Sequence, residues 1–306
     1  MAEKQNSERE AERVFAIDGA RLPASPIAAG LYIVATPIGN LGDVTIRALR
    51  TLAAADVVAC EDSRVTRVLL DRYGITHSLT TYHEHNAAEQ RPKLLAALAG
   101  GKSVALVSDA GTPLLSDPGY RLVIEAAEAG HAVFPIPGAS ALLAGLVVAG
   151  LPTDAFFFAG FLPPKEVARR KRLTALAAIP GTLVFYESPH RLGASLSDMA
   201  ATLGDRPAAM ARELTKAFET VRRGSLASLA ADFADIEPKG EIVVLVGPPV
   251  EAAPEPEEVD ALLLRLLATG TVRSAADEAA AATGLPRRDL YRRALALKDA
   301  ADGAGD

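Results

Sequence analysis

Val104-Ala-Leu-Val-Ser-Asp-Ala-Gly-Thr-Pro-Leu-Leu-Ser-Asp-Pro-Gly119 and Ala132-Val-Phe-Pro-Ile-Pro-Gly-Ala-Ser140 decide the fold. Each begins as a short apolar run, the mark of a buried strand, and breaks into a glycine- and proline-rich loop that cannot continue it. Each loop then opens a helix. In the first, Asp117 stands as N-cap with Pro118 at the first helical position, where its missing N–H costs nothing. Ligands of open α/β sheets bind outside the carboxyl ends of the strands, where such loops gather. Two bare-backbone loops side by side therefore predict a pocket in which main-chain groups grip a polar ligand.

The same alternation extends outward. Leu31–Thr36 reads as a strand followed by Pro37-Ile-Gly-Asn-Leu-Gly42 and a helix capped by Asp43. Asp56–Cys60 is a further strand, leading into a helix that carries Val65, Val68 and Leu69 on one apolar face. Asn86 and Glu89 have the spacing of a capping box. Strands alternating with helices argue for a mainly parallel sheet covered on both faces. Beyond a linker at 151–154 lies a second α/β stretch, with strands expected at 156–161, 182–186, 208–212, 219–223 and 241–246. A proline-rich spacer at 248–256 precedes three helices. The expected organisation is an extension at 1–28 read as disordered, α/β domains at 29–152 and 153–250, and a helical, helix-turn-helix-like domain at 254–306.

The bulk numbers narrow the class. Nearly half of the 306 residues are apolar, and Cys60 is the lone cysteine, which excludes an internal disulfide framework and fits a reducing cytoplasm. No apolar run approaches the roughly 18 residues of a spanning helix, so no membrane role is expected. The formal charge of −6 argues against wholesale nucleic-acid binding. Two basic clusters run against it, one from Lys165 to Arg172 and one from Arg287 to Lys298. Solvated helix faces remain the alternative reading of each.

Several motifs fail on inspection. Gly101-Lys102-Ser103 lacks the earlier glycine of a phosphate loop and leads from helix to strand. Gly138-Ala-Ser140 lacks the last glycine of a nucleophile elbow. His83 and His85 have no third ligand nearby, which favours hydrogen-bonded histidines over a metal site. Asp109 is different, because a carboxylate ending a buried strand is costly unless it is partnered.

Taken together, Leu31-Tyr-Ile-Val-Ala-Thr-Pro-Ile-Gly-Asn-Leu-Gly-Asp43, Ala59-Cys-Glu-Asp-Ser-Arg64, Tyr82-His-Glu-His-Asn86 and Val107-Ser-Asp-Ala-Gly-Thr-Pro113 resemble the ribosomal RNA small-subunit methyltransferase I family. Pro135-Ile-Pro-Gly-Ala-Ser140, Phe185-Tyr-Glu-Ser-Pro-His-Arg-Leu192 and Ala211-Arg-Glu-Leu-Thr-Lys216 continue the match in order, over roughly residues 30 to 300. Ser63, Leu114-Leu115, Ala139 and Phe218 depart from the residues commoner in that family. The resemblance implies the two-domain α/β fold of the tetrapyrrole methylases (class III methyltransferases) with a small C-terminal helical domain. It further implies S-adenosylmethionine as methyl donor, a homodimer, and 2′-O-methylation of one cytidine of 16S ribosomal RNA at the decoding centre, on naked RNA or the 30S subunit.

On that basis Thr36, Pro37, Asp109, Ala110, Gly111, Thr112, Gly138, Ser140 and Ala141 are expected to wall the cofactor, with Tyr186, Ala211 and Glu241 completing its adenine and ribose side. Lys216, its pKa depressed by neighbouring cations, and Glu213 are the candidate general bases, with Glu61 and Asp62 behind them and structural ion pairs as the alternative for all four. Arg47, Arg64, Lys165, Arg169, Arg170 and Arg191, and Arg287, Arg288 and Arg292 in the tail, are expected to meet RNA phosphates. A small tetrapyrrole or precorrin substrate, and a non-enzymatic nucleic-acid-binding regulator, stand as competing readings.

Overall fold

The computed structural model describes residues 13–114, 119–249 and 256–303. These fall into two compact units, one reaching Pro249 and one holding the last three helices. The expected N-cap at Asp117 and helical position of Pro118 lie outside the described residues.

In the first unit, β1 (Val14–Ile17) and β2 (Ala20–Pro23) form an antiparallel hairpin. For residues 13–28 this corrects the reading as a disordered extension; residues 1–12 lie outside the described residues. Asp18 and Gly19 both take positive φ, 47° and 83°. Asp-Gly between alternating apolar residues is the strongest short-range hairpin signal, since a tight turn matched to strand twist needs that backbone. Phe15 is fully buried among Leu49, Leu52 and Leu70, so the hairpin is part of the core.

The first sheet is built from β3 (Gly30–Val34), β4 (Val57–Cys60), β5 (Leu79–Thr81), β6 (Ser103–Val107) and β7 (Val133–Ile136). Its order is β5-β4-β6-β3-β7 and every pairing is parallel. The crossovers run through α1 (Ile46–Ala54), α2 (Ser63–Arg72), α3 (Ala87–Ala99) and α4 (Tyr120–Glu128), which cover both faces. Two local expectations change. Thr45, not Asp43, caps α1, its hydroxyl accepting from the Ala48 N–H, while Asp43 ends a short 3-10 turn. Asn86 makes no cap; its side-chain oxygen accepts instead from the His83 N–H. On α2 the buried residues are Thr66, Leu69 and Leu70, whereas Val65 and Val68 face outward, 43% and 59% exposed.

After β7, α5 (Ala141–Ala149) leads to the second sheet: β8 (Phe156–Phe161), β9 (Thr182–Glu187), β10 (Pro207–Arg212), β11 (Thr220–Ser225) and β12 (Ile242–Val246). Its order is β11-β10-β12-β9-β8, with only β8–β9 parallel. One face packs on α6 (Glu166–Leu176), α7 (Leu192–Leu203) and α8 (Leu226–Asp232). The other receives Leu142, Leu146 and Ala149 of α5, which pack against Ala209, Ala211, Val243 and Leu245. The helix that leaves the first sheet is thus seated on the second, and the two sheets share one body.

The second unit holds α9 (Pro256–Leu267), α10 (Val272–Thr283) and α11 (Arg287–Gly303). Thr271 and Ser274 form a reciprocal capping box that starts α10. Val259, Leu263, Ala276, Ala279, Leu290 and Ala294 make its small core, the alanines allowing close helix approach.

Candidate functional site

The loops that leave the first sheet are stitched together. The Thr36 N–H donates to the Gly111 carbonyl at 2.9 Å and the Gly111 N–H returns to Thr36 at 3.1 Å. The Thr36 hydroxyl donates to the Ser108 carbonyl, and the Thr112 hydroxyl to that of Ala139. The Asp109 carboxylate accepts the Asp62 N–H at 2.9 Å, which satisfies the strand-end acid and adds the loop after β4. Four strand ends therefore make one cradle of backbone.

Against this cradle stands a cavity of about 330 Å³, lined on one side by Ile38, Glu61, Asp109, Ala110, Gly111, Thr112, Ser140 and Ala141 and on the other by Phe161, Tyr186, Glu187, Glu241, Ile242 and Val243. Phe158 and Phe161 meet the Tyr186 ring edge-on, at centroid distances of 4.9 and 5.6 Å. Four carboxylates line this space. Glu187 is the most constrained, accepting from the Ser195 hydroxyl at 2.6 Å, from the Ser188 N–H at 2.8 Å, and pairing with Arg191 at 2.8 Å. The buried Ser140 hydroxyl finds no partner among the described residues, at the start of α5 where backbone N–H groups are also unsatisfied. A second cavity, about 320 Å³, adjoins the first and is lined by Thr36, Pro37, Ile38, Leu41, Val65, Val68, Asp109, Ala110, Lys216 and Glu241 among others.

Eight of the residues expected at the cofactor line the first cavity, and Thr36 and Pro37 line the second. Gly138 and Ala211 line neither. Gly138 lies against Ala35, where a Cβ would come within 3.0 Å of that side chain, and Ala211 is buried in the apolar layer under α5. Sequence reasoning overlooked Ile38, Phe161 and Glu187, although Glu187 closes an apolar strand much as Asp109 follows β6, and that parallel was the available signal.

The base candidates require a correction. Lys216 Nζ sits 2.9 Å from Glu213 Oε1 and 3.3 Å from Glu241 Oε2. Burial opposes its charge, but the Glu213 and Glu241 carboxylates outweigh burial and hold its pKa above the usual lysine value. Lys216 is thus a fixed cation with acids as neighbours, not a lysine depressed by cations. The Lys216 ammonium, and then the Glu241 N–H, hold Glu213 below the usual carboxylate range. Glu213 and Thr215 both take positive φ, 53° and 66°, in the loop that places this pair. Arg64 brings Asp62 down to about 2, so Asp62 is a poor proton acceptor.

The basic residues separate by burial. Arg169, 5% exposed, donates to Asp198 at 2.6 Å and to the Pro164 carbonyl, and Arg170 takes the other Asp198 oxygen at 2.7 Å. Arg191 serves Glu187 and the Leu162 carbonyl. Arg169 and Arg191 are therefore structural, correcting their expected place on an RNA surface. Arg64 is exposed but paired with Asp62. Arg47, Lys165 and Arg288 are exposed and have no partner among the described residues. Arg287 pairs with Asp277, and Arg292 with Asp289 at 2.7 Å, both on the surface. Among the described residues no cluster of three metal-ligating side chains occurs; the His83 and His85 rings lie 5.9 Å apart. No described helix is long and apolar enough to cross a membrane.

Comparison with known proteins places this geometry in a lineage. Residues 30–230 match the Tetrapyrrole (Corrin/Porphyrin) Methylases, and residues 253–298 match the RsmI C-terminal HTH domain. A protein of Mesorhizobium japonicum named ribosomal RNA small subunit methyltransferase I is 61% identical, over 93% of this chain and 97% of its own. One of the same name from Erythrobacter litoralis is 54% identical, over 90% and 98%. Among solved structures, uroporphyrin-III C-methyl transferase from Thermus thermophilus, complexed with S-adenyl homocysteine, shares the fold. Its TM-score is 0.50 at 21% identity, covering 71% of this chain and 97% of that one. The chain belongs to the tetrapyrrole methylases and, within them, to the ribosomal RNA small subunit methyltransferase I family.

Proposed function

We propose that this protein transfers a methyl group from S-adenosylmethionine to the 2′-hydroxyl of one cytidine in 16S ribosomal RNA at the decoding centre, acting in the cytoplasm as a homodimer. The observation that carries the donor assignment is the acidic first cavity. Glu61, Asp109, Glu187 and Glu241 suit a donor bearing a sulfonium and an ammonium. Ile38, Ile242 and Val243 offer apolar contact to a purine, while the unpartnered Ser140 hydroxyl and the start of α5 suit a carboxylate. The substrate assignment rests on the names of the relatives.

When bound, the donor supplies an electrophilic methyl carbon and so carries the hard chemistry. The chain's task is alignment, worth about 7–11 kcal/mol when reacting atoms are held near 3 Å. With the donor in place, a carboxylate at the cavity rim would take the proton that the acceptor hydroxyl gives up on methylation. Asp109 and Glu241 line both cavities and are the groups placed for it. Lys216 and Glu213 act as positioning residues: Glu213 anchors the ammonium, and the ammonium holds Glu241 at the rim. Exposed Leu143 and Val147 of α5, and Phe156 and Phe161 of the edge strand β8, suit burial in a dimer contact.

The test is transfer of a labelled methyl group to unmethylated 30S subunits and to naked 16S RNA, followed by nucleoside analysis. Labelled 2′-O-methylcytidine from one position supports the reading. Transfer to a small tetrapyrrole with none to either RNA overturns it.

A further inference from the structure

Two cavities sharing one wall pose a question that the donor site leaves open. The second cavity, about 320 Å³, lies between the loop after β3 and the side of α2 that carries Val65, Thr66, Val68 and Leu69, and shares Ile38, Asp109, Ala110 and Glu241 with the first. Its walls are unlike the first. Pro37 and Leu41 stand on one side, Val65 and Val68 on the other, and Lys216 is the one cation among its lining residues. Val65 and Val68, three apart on one face of α2, keep 43% and 59% of their surface exposed. Water-facing valines beside a carboxylate-rimmed junction serve no packing purpose in this fold, since α2 already buries Leu69 and Leu70 in the core.

We infer that this cavity seats a single unstacked nucleotide of the RNA acceptor, with Val65 and Val68 as the wall against which its base packs; this rests on the RNA methyltransferase reading above. Sequence-specific RNA recognition targets unstacked nucleotides, and an apolar wall then replaces the stacking that the base has lost. A base seated between Pro37 and Val68 brings its sugar to the rim that both cavities share, where Asp109 and Glu241 stand. Continuity with the donor cavity is what separates this groove from an ordinary surface depression.

The experiment uses the full chain and unmethylated small subunits. Val65→Asp and Val68→Asp lie on the surface, and binding of S-adenosylhomocysteine reports whether the donor cavity is intact. The expected result is a KM for subunits raised about tenfold or more, the scale on which an apolar pocket discriminates, with unchanged affinity for that ligand. Independently, Val68→p-benzoylphenylalanine is irradiated on the subunit and the crosslinked nucleotide mapped. A crosslink at the methylated nucleotide or its immediate neighbours is expected. An unchanged KM, or a crosslink that is absent or lies elsewhere while the wild type methylates, overturns the nucleotide seat. A wild type that methylates no RNA overturns the underlying reading instead.

Discussion

The side chain of Lys216 lies across Gly39 so closely that a Cβ at the glycine would stand 2.4 Å from the lysine Cγ. Gly39 takes φ +146°, and the contact ties the loop after β3 to the loop after β10. Gly39→Ala strains the backbone and pushes the lysine from Glu241. Stability is expected to fall by about 1–2 kcal/mol, and affinity for S-adenosylhomocysteine to fall with it. Thermal unfolding and calorimetric titration measure the two losses.

Lys216 and Glu213 also predict a flat stretch in the pH profile. The lysine pKa is raised above 10.5, so its contribution is complete below that value and is lost only as pH rises through the folded pKa. The Glu213 pKa is lowered below 4.5, so its contribution is present above 4.5 and lost as pH falls through the folded value. Both stay charged between those limits. Lys216→Met should depress turnover without removing any inflection of kcat between them, and Lys216→Arg should restore most of the rate. Loss of an inflection in the methionine variant would return the lysine to the role of base.

Arg169 is a stability residue. Removing it leaves Asp198 buried with only Arg170 beside it, and Arg169→Ala is expected to cost about 3–5 kcal/mol. Denaturant unfolding measures that loss. Below its melting transition the variant should bind RNA as the wild type does.

Lys165 and Arg288 are exposed without carboxylate partners. Alanine at either should weaken RNA binding evenly across sequences and reduce the slope of log affinity against log salt by about one. Binding of a 16S RNA fragment measured across a salt series separates this from a solvated surface, which would leave the slope unchanged.

Phe15 is buried in the first core from a segment that precedes the match to the methylase family. Phe15→Ala is expected to lose about 3–5 kcal/mol, and removal of residues 1–28 to lower the melting temperature comparably. Calorimetric melting of both variants is the check.

What the sequence makes legible follows from what periodicity and turn chemistry encode. Buried parallel strands announce themselves as short apolar runs, so β3, β4, β6 and β7 are readable, as are the three helices of the second unit. Val65 and Val68 share a face with Leu69, as their spacing says, but apolar spacing marks a face without saying whether core or cleft lies opposite. Arg169 is misread because a run of like charges does not reveal Asp198, 29 residues on. Lys216 is misread because its pKa is held up by Glu213, three residues before it, and by Glu241, which only the folded chain brings near. The hairpin is a different failure: Asp18-Gly19 was there to be read, and composition was given too much weight.

The placement of β3 sets a timetable for the nascent chain. It pairs with residues 103–107 on one side and 133–136 on the other, and with nothing that precedes it. As the chain leaves the ribosome, this interior strand must wait, unpaired, until both partners have emerged. The delay exposes an apolar edge of the kind that associates wrongly when crowded. A protein whose parallel sheet has an interior strand as the earliest of its strands in the chain is therefore one whose yield in cells should respond to holdase chaperones more than its final stability would suggest.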